Sequence, residues 1–162
     1  MPYAGLAICG LHDVHETVDE SEATHLLSML DHGTPMPAHA DISGGRHLQM
    51  FFSDTDDRAD SAAPSLEDMH EIHDWAIAVP LEARLVVHCY MGISRSTAVT
   101  LGLLARHLPP LDAARRLLAI RPQATPNRLI VAHWDEILGM QGALEEAANL
   151  FPLPFWASDD WR

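Results

Sequence analysis

A chain of 162 residues, 48% of them hydrophobic, can bury one sizeable core, so a single domain over 1–162 is expected. Its net charge is -13 and all ten basic residues are arginine, which leaves little cationic surface for a polyanion and argues against nucleic acid or an anionic membrane as partner. Two cysteines, Cys9 and Cys89, make no disulfide framework, and no apolar run approaches the roughly 20 residues that span a bilayer.

In chain order, residues 1–11 are mildly apolar but have no basic start and no long apolar stretch, so they are not read as a secretion signal. Residues 3–9 and 24–30 read as short buried strands, with an acidic helix or loop over 14–22 between them. A connector rich in Gly, Pro and His follows over 31–45. Residues 47–52 give a third apolar strand, closed by the polar cluster 53–63. Pro64-Ser65 opens a helix, since Ser65 can cap it and Asp68 sits three residues on; Pro80 ends it.

The fourth strand is predicted over 85–88 and a helix over 94–107, with Ala98, Leu101 and Ala105 on one face, before Pro109-Pro110 stops it. Two further helices are expected over 111–120 and 127–139, and another from 142 to about 150. Strands followed by helices, with a βα crossover, predict an α/β fold: a mostly parallel central sheet of about four to five strands flanked by helices. The tail contains Phe151-Pro152-Leu153-Pro154-Phe155-Trp156 and ends Trp161-Arg162. Such a proline-broken aromatic segment is expected to dock on its own domain, with a homodimer contact as the alternative.

The chemistry concentrates in Val86-Val87-His88-Cys89-Tyr90-Met91-Gly92-Ile93-Ser94-Arg95-Ser96. An apolar, β-branched stretch delivers one cysteine into a short turn-permissive loop, and a helical pattern begins at once behind it. Strand, tight loop and helix N-terminus form a nest whose amides and dipole favour a tetrahedral anion, and a thiol inside such a field ionises more readily than a free one. Arg95 can offer two phosphate oxygens a planar fork. A lone cysteine would read as a buried small hydrophobe; with Gly92, Arg95 and Ser96 at these spacings, Cys89 reads as a nucleophile.

His-Cys-x5-Arg-Ser resembles the signature loop of the protein tyrosine phosphatase superfamily. Arg121-Pro122-Gln123-Ala124-Thr125-Pro126-Asn127, followed by an amphipathic helix, is similar to the Arg…Pro-Asn segment of its dual-specificity branch. The resemblance covers 86 to about 138 and extends weakly back to about 46. It implies a single-domain phosphatase fold and a metal-independent phosphomonoester hydrolase without cofactor, of the protein tyrosine or dual-specificity type. Its substrate would be a phosphorylated protein or a small phosphomonoester.

In the mechanism so implied, the Cys89 thiolate attacks phosphorus and water later hydrolyses the cysteinyl-phosphate. Arg95 and the amides of Tyr90, Met91, Gly92, Ile93 and Ser94 hold the oxygens, and Ser96 hydrogen-bonds the sulfur. The general acid comes from the upstream loop, where Asp54 is preferred because it directly follows the strand, with Asp56 and Asp57 left open. His88 orients the loop, and Asn127 and Arg121 serve the framework. The family's strand order sets the first strand apart from the signature strand, so Cys9 is read as a core cysteine and not as a disulfide partner of Cys89.

Rival readings are a phosphate-binding scaffold without turnover, a phosphatase of a small metabolite, and persulfide or arsenate chemistry on a similar loop. The eleven histidines include His70 and His73 at helical spacing, but without a third ligand no metal site is expected. A thiol nucleophile needs a reducing compartment, which points to the cytoplasm.

Overall fold

Four strands, β1 (Gly5–Cys9), β2 (His25–Leu30), β3 (His47–Phe51) and β4 (Arg84–His88), form one wholly parallel sheet in the order β1-β4-β2-β3. The computed structural model describes residues 3–39 and 41–162; Met1, Pro2 and Ala40 lie outside them, and with them the start of the 1–11 reading. Six helices complete the described residues: α1 (Val14–Glu20), α2 (Leu66–Ala78), α3 (Arg95–Ala105), α4 (Pro110–Ile120), α5 (Arg128–Ile137) and α6 (Ala143–Ala147). The predicted elements are all present, most ending within a few residues of their expected bounds.

The strand order corrects one expectation. β1 is not set apart from the signature strand but lies directly beside it, with Cys9 opposite His88. The physical reason is the composition of β4: Leu85, Val86 and Val87 form the most apolar run of the sheet, and a parallel strand of that kind is covered on both faces and paired on both edges. Alternation then sorts the two sides. Leu85 and Val87 face the larger core, which α2 to α6 cover, whereas Val86 joins Val14 and Val18 of α1 on the other face. Cys9 belongs to the α1 side and Cys89 to the opposite core. Cys9 therefore remains a core residue, and burial pushes its thiol up from the usual value.

Ser65 and Asp68 form the expected reciprocal cap of α2: the Asp68 amide donates to Ser65 Oγ at 3.0 Å and the Ser65 amide to Asp68 Oδ2 at 2.9 Å. Helix α3 departs from its one-faced reading, since all eleven of its residues are buried. It is wedged between the sheet and its helical neighbours, and Gly102 has no room for a Cβ beside the Trp134 ring of α5. A helix in that position has no solvent face, and even its polar residues Arg95, Ser96, Thr97 and Thr100 lie inside.

Because all four strands run the same way, their carboxyl ends share one edge of the sheet. The residues leaving that edge are Gly10, Asp31, Phe52 to Asp54, and the Cys89 loop, and ligands of open parallel sheets bind there.

Candidate active site

The loop from Cys89 to Ser94 is held by its carbonyls. His88 Nδ1 donates to Cys89 O at 3.0 Å, Leu11 N to Tyr90 O at 2.9 Å and Arg121 Nε to Gly92 O at 2.9 Å. Ile93 O accepts from Thr125 N at 2.8 Å and Thr97 Oγ1 at 2.6 Å; Ser94 O accepts from Ala98 N at 3.1 Å and Asn127 N at 3.2 Å. Every one of these partners lies outside the loop or behind it. The amides of Tyr90, Met91, Ile93 and Ser94 donate to nothing among the described residues, and these four residues line a cavity of about 410 Å³. Gly92, at φ +74°, makes the turn possible: a Cβ there would collide with the backbone of Cys9 and Gly10, on which the loop rests.

Cys89 lies at the base of this cavity, buried. Gly92 N–H donates to its Sγ at 3.2 Å, and Ser96 Oγ lies 3.2 Å from the same sulfur. Arg95, also buried, opens α3, and its Nη1 donates to Asp31 Oδ1 at 2.6 Å and Phe52 O at 2.8 Å. Its Nε is buried without any acceptor among the described residues. One edge of the guanidinium is thus fixed by the fold while a donor of the other edge is unmatched, an arrangement that favours an anion and penalises its lack. Arg95 is the only arginine lining the cavity among the described residues.

Of the three aspartates, only Asp54 lines the same cavity as Cys89. Ser94 Oγ donates to its Oδ1 at 2.8 Å and Asn127 Nδ2 to the same oxygen at 2.9 Å, which leaves Oδ2 without a partner among the described residues. Burial raises its pKa above the usual carboxylate value, against the opposing pull of those two hydrogen bonds and of Arg95. Asp56 instead accepts from Ser158 N–H at 2.8 Å, and Asp57 Oδ1 from the Ala59 amide at 2.9 Å. Asn127 carries more than a cap: its Oδ1 receives the Ile130 amide of α5 at 3.1 Å, while Nδ2 also reaches Thr55 O at 3.1 Å. One side chain thereby ties together α5, the aspartate loop and, through its own amide, the end of the Cys89 loop.

The His88 ring meets the carbonyl of Cys89, not its sulfur, as the third member of a chain across three strands. His47 Nε2 donates to Ser28 Oγ at 2.9 Å, Ser28 Oγ to His88 Nε2 at 2.6 Å, and His88 Nδ1 to Cys89 O. This order of donors follows from a neutral His88, whose Nδ1–H faces the Cys89 carbonyl and whose Nε2 is left as the acceptor for Ser28 Oγ. Desolvation accordingly lowers the pKa of His88 to about 4. The unfolded imidazole titrates near its ordinary value, so it takes up a proton first on acidification. The contribution, on the order of 3 kcal/mol, is present above about pH 6.5 and is lost as pH falls toward 4. Burial lowers His25, His47, His73, His107 and His133 too, with the same sign. Urea midpoints are expected to fall steeply between pH 7.5 and 5, and less so in His88→Gln; equal midpoints at both pH values would contradict this account.

No protein-family model matches the chain, and no curated protein does. Solved structures match it well. Human DUSP28 aligns with a TM-score of 0.66 at 21% identity, over 87% of this chain and 99% of that one. DUSP15 aligns with a TM-score of 0.63 at 22% identity, over 95% and 97%. The chain has the dual-specificity phosphatase fold. The human tyrosine phosphatase-like serine/threonine/tyrosine-interacting protein is a further match, with a TM-score of 0.66 at 16% identity over 87% and 95%.

Within the dual-specificity phosphatase fold, three features of the site escape sequence reasoning. Asp31 falls in a stretch read as a connector, although an acid in the first position after a parallel strand is a signal worth weighing. The Ser94 side chain serves Asp54 rather than the loop alone. Pro154, Phe155 and Trp156 of the tail line the Cys89 cavity, and nothing in the sequence connects them to it. Arg128, at the start of α5, is spent on Asn149 Oδ1 and Phe151 O and does not line the cavity. No group of three or more metal-type ligands occurs among the described residues, where His73 packs edge-on against Trp134. No helix among them is long and apolar enough to cross a membrane.

Proposed function

We propose that the chain is a cysteine-dependent phosphomonoester hydrolase of the protein tyrosine or dual-specificity type. The observation that carries this reading is the set of unmatched donors around one sulfur: four loop amides and the buried Arg95 Nε about a cavity with Cys89 at its base. A tetrahedral dianion satisfies them together, and donors already oriented need no reorganisation as charge shifts during reaction.

The reaction then runs in two steps. Cys89 Sγ, as thiolate, attacks phosphorus in line; the S–P bond forms as the P–O bond to the leaving group breaks. Asp54 gives its proton, carried on Oδ2, to the departing oxygen. In the second step Asp54, now a carboxylate, takes a proton from water as that water attacks phosphorus and the P–S bond breaks. The Gly92 amide and the Ser96 hydroxyl stabilise the sulfur as it leaves. Asp31 and Phe52 O hold Arg95 in place without contacting the phosphate. A free-thiol nucleophile suits a reducing compartment such as the cytoplasm.

A second reading is a phosphate-binding protein without turnover, given that one of the matched structures is named phosphatase-like. The presence of Cys89, Arg95 and a partly desolvated Asp54 in one cavity, with Ser96 buried against the sulfur, favours hydrolysis. The deciding assay is turnover of an aryl phosphate, phosphopeptides and small phosphorylated metabolites in the presence of a chelator. Turnover blocked competitively by vanadate is expected. Phosphate binding without turnover of any substrate would favour the second reading.

A further inference from the structure

The tail is pinned on both sides of a six-residue span. Phe151 is buried, and its carbonyl accepts from Arg128 Nη2 at 3.0 Å; Ala157, the last residue of the span, is buried, and just beyond it the Ser158 amide donates to Asp56 Oδ2 at 2.8 Å. Between those pins the chain borders the Cys89 cavity, contributing Pro154, Phe155 and Trp156 to its lining beside Tyr90 and Met91 of the loop. Phe155 is 86% exposed although the backbone on either side of it is fixed, and Tyr90 and Met91 are exposed as well. Apolar rings held at the rim of a polar cup are surface that a ligand can cover.

The chemistry of the occupant follows from the two levels of the cavity. Its base takes one phosphoryl group. Its upper wall is aromatic and apolar, with Asp31 and Asp54 as its acids and with no second cation for another phosphate among the described lining residues. A flat ring bonded to a single phosphate fits both levels, and aromatic pairs favour such contact beyond simple area burial. A volume of about 410 Å³ lies in the range of small-ligand sites.

We propose that residues 152–157 form a specificity strap in which Phe155 and Trp156 receive the ring of a phosphotyrosine-type aryl phosphate whose phosphoryl group sits over Cys89. The inference rests on the phosphatase reading above and deepens it. Alkyl phosphates such as phosphoserine have no ring to bury there and gain nothing from the strap. The pin to Asp56 also links the strap to the loop that carries Asp54, two residues away.

The test is calorimetric binding to the Cys89→Ser protein of three probes: inorganic phosphate, a phosphotyrosine peptide and its phosphoserine counterpart. Phosphotyrosine is expected to bind about tenfold more tightly than phosphoserine. Adding Phe155→Ala, at a side chain too exposed to affect folding, is expected to remove most of that preference while inorganic phosphate affinity persists; Trp156→Ala should act in the same direction. Equal affinity for the two peptides, or a preference that survives both substitutions, overturns the strap proposal and leaves the phosphatase reading intact. Failure of Cys89→Ser to bind inorganic phosphate at all overturns both. A dimer that dissociates on Phe155→Ala with peptide preference unchanged assigns the exposed ring to self-association and likewise overturns it.

Discussion

Cys89→Ser is expected to lower kcat on an aryl phosphate by at least about 10⁴-fold while the protein stays folded and still binds phosphate. The substitution changes one atom of a buried side chain. A serine Oγ fits the space of the sulfur, and the Gly92 amide and Ser96 hydroxyl remain beside it. What is lost is nucleophilicity, because a hydroxyl stays protonated where a thiol can ionise, and no neighbouring base serves it. The ring of His88 is engaged with the Cys89 carbonyl and with Ser28 on its two nitrogens. Binding depends instead on the loop amides and Arg95, which the substitution leaves in place. Parallel measurement of turnover and of phosphate affinity separates the two contributions. Residual turnover above about one per cent of wild type would place the nucleophile elsewhere.

Asp54→Asn is expected to lower the rate by about 10²- to 10⁴-fold for substrates whose leaving oxygen needs a proton, and by much less for an activated aryl phosphate that needs none. The alkaline limb of the wild-type pH profile, set by loss of the Asp54 proton, should vanish in the variant. Burial raises the Asp54 pKa, so the acid keeps its proton to higher pH than an exposed carboxyl would. The same shift has a thermodynamic consequence of the opposite sense to the histidines. Between the ordinary carboxylate value and the raised one, the folded state holds more protons than the unfolded state, so stability falls as pH rises through that window and stays lower above it. An asparagine avoids that charge, and its Oδ1 can still accept from Ser94 and Asn127. The variant is therefore expected to melt a few degrees higher than wild type at pH 7 and to lose that advantage near pH 3. A variant with undiminished turnover of an alkyl phosphate would remove Asp54 as the acid, and one destabilised at neutral pH would contradict the raised pKa.

The two predictions differ in how much of their basis is visible along the chain. Cys89, Gly92, Arg95 and Ser96 are close neighbours in sequence, and a strand, a tight turn and a helix N-terminus impose most of their geometry locally. Asp54 is one of three aspartates within four residues, preferred along the chain because it directly follows the strand, with the other two left open. Their partners separate them in three dimensions, where Ser94 and Asn127 fix Asp54 in the cavity while Asp56 holds the tail and Asp57 caps a turn. Helix α3 shows the converse case, in which total burial left no solvent face of the kind that a pattern reading relies on.

Local chemistry along the chain was enough to determine the strands and helices, the tight loop that carries the Cys89 sulfur and the Arg95 guanidinium, and the α/β class, because each depends on residues a few positions apart. Tertiary structure decided what depends on the order in which strands pair: β1 beside β4, with its end supporting the Cys89 loop, Asp31 brought to Arg95, and the aromatic tail brought to the rim of the cavity. Backbone hydrogen bonding in a parallel sheet is nearly indifferent to which apolar strand lies alongside. That choice is made by the burial of side chains far apart in sequence, which no local pattern records.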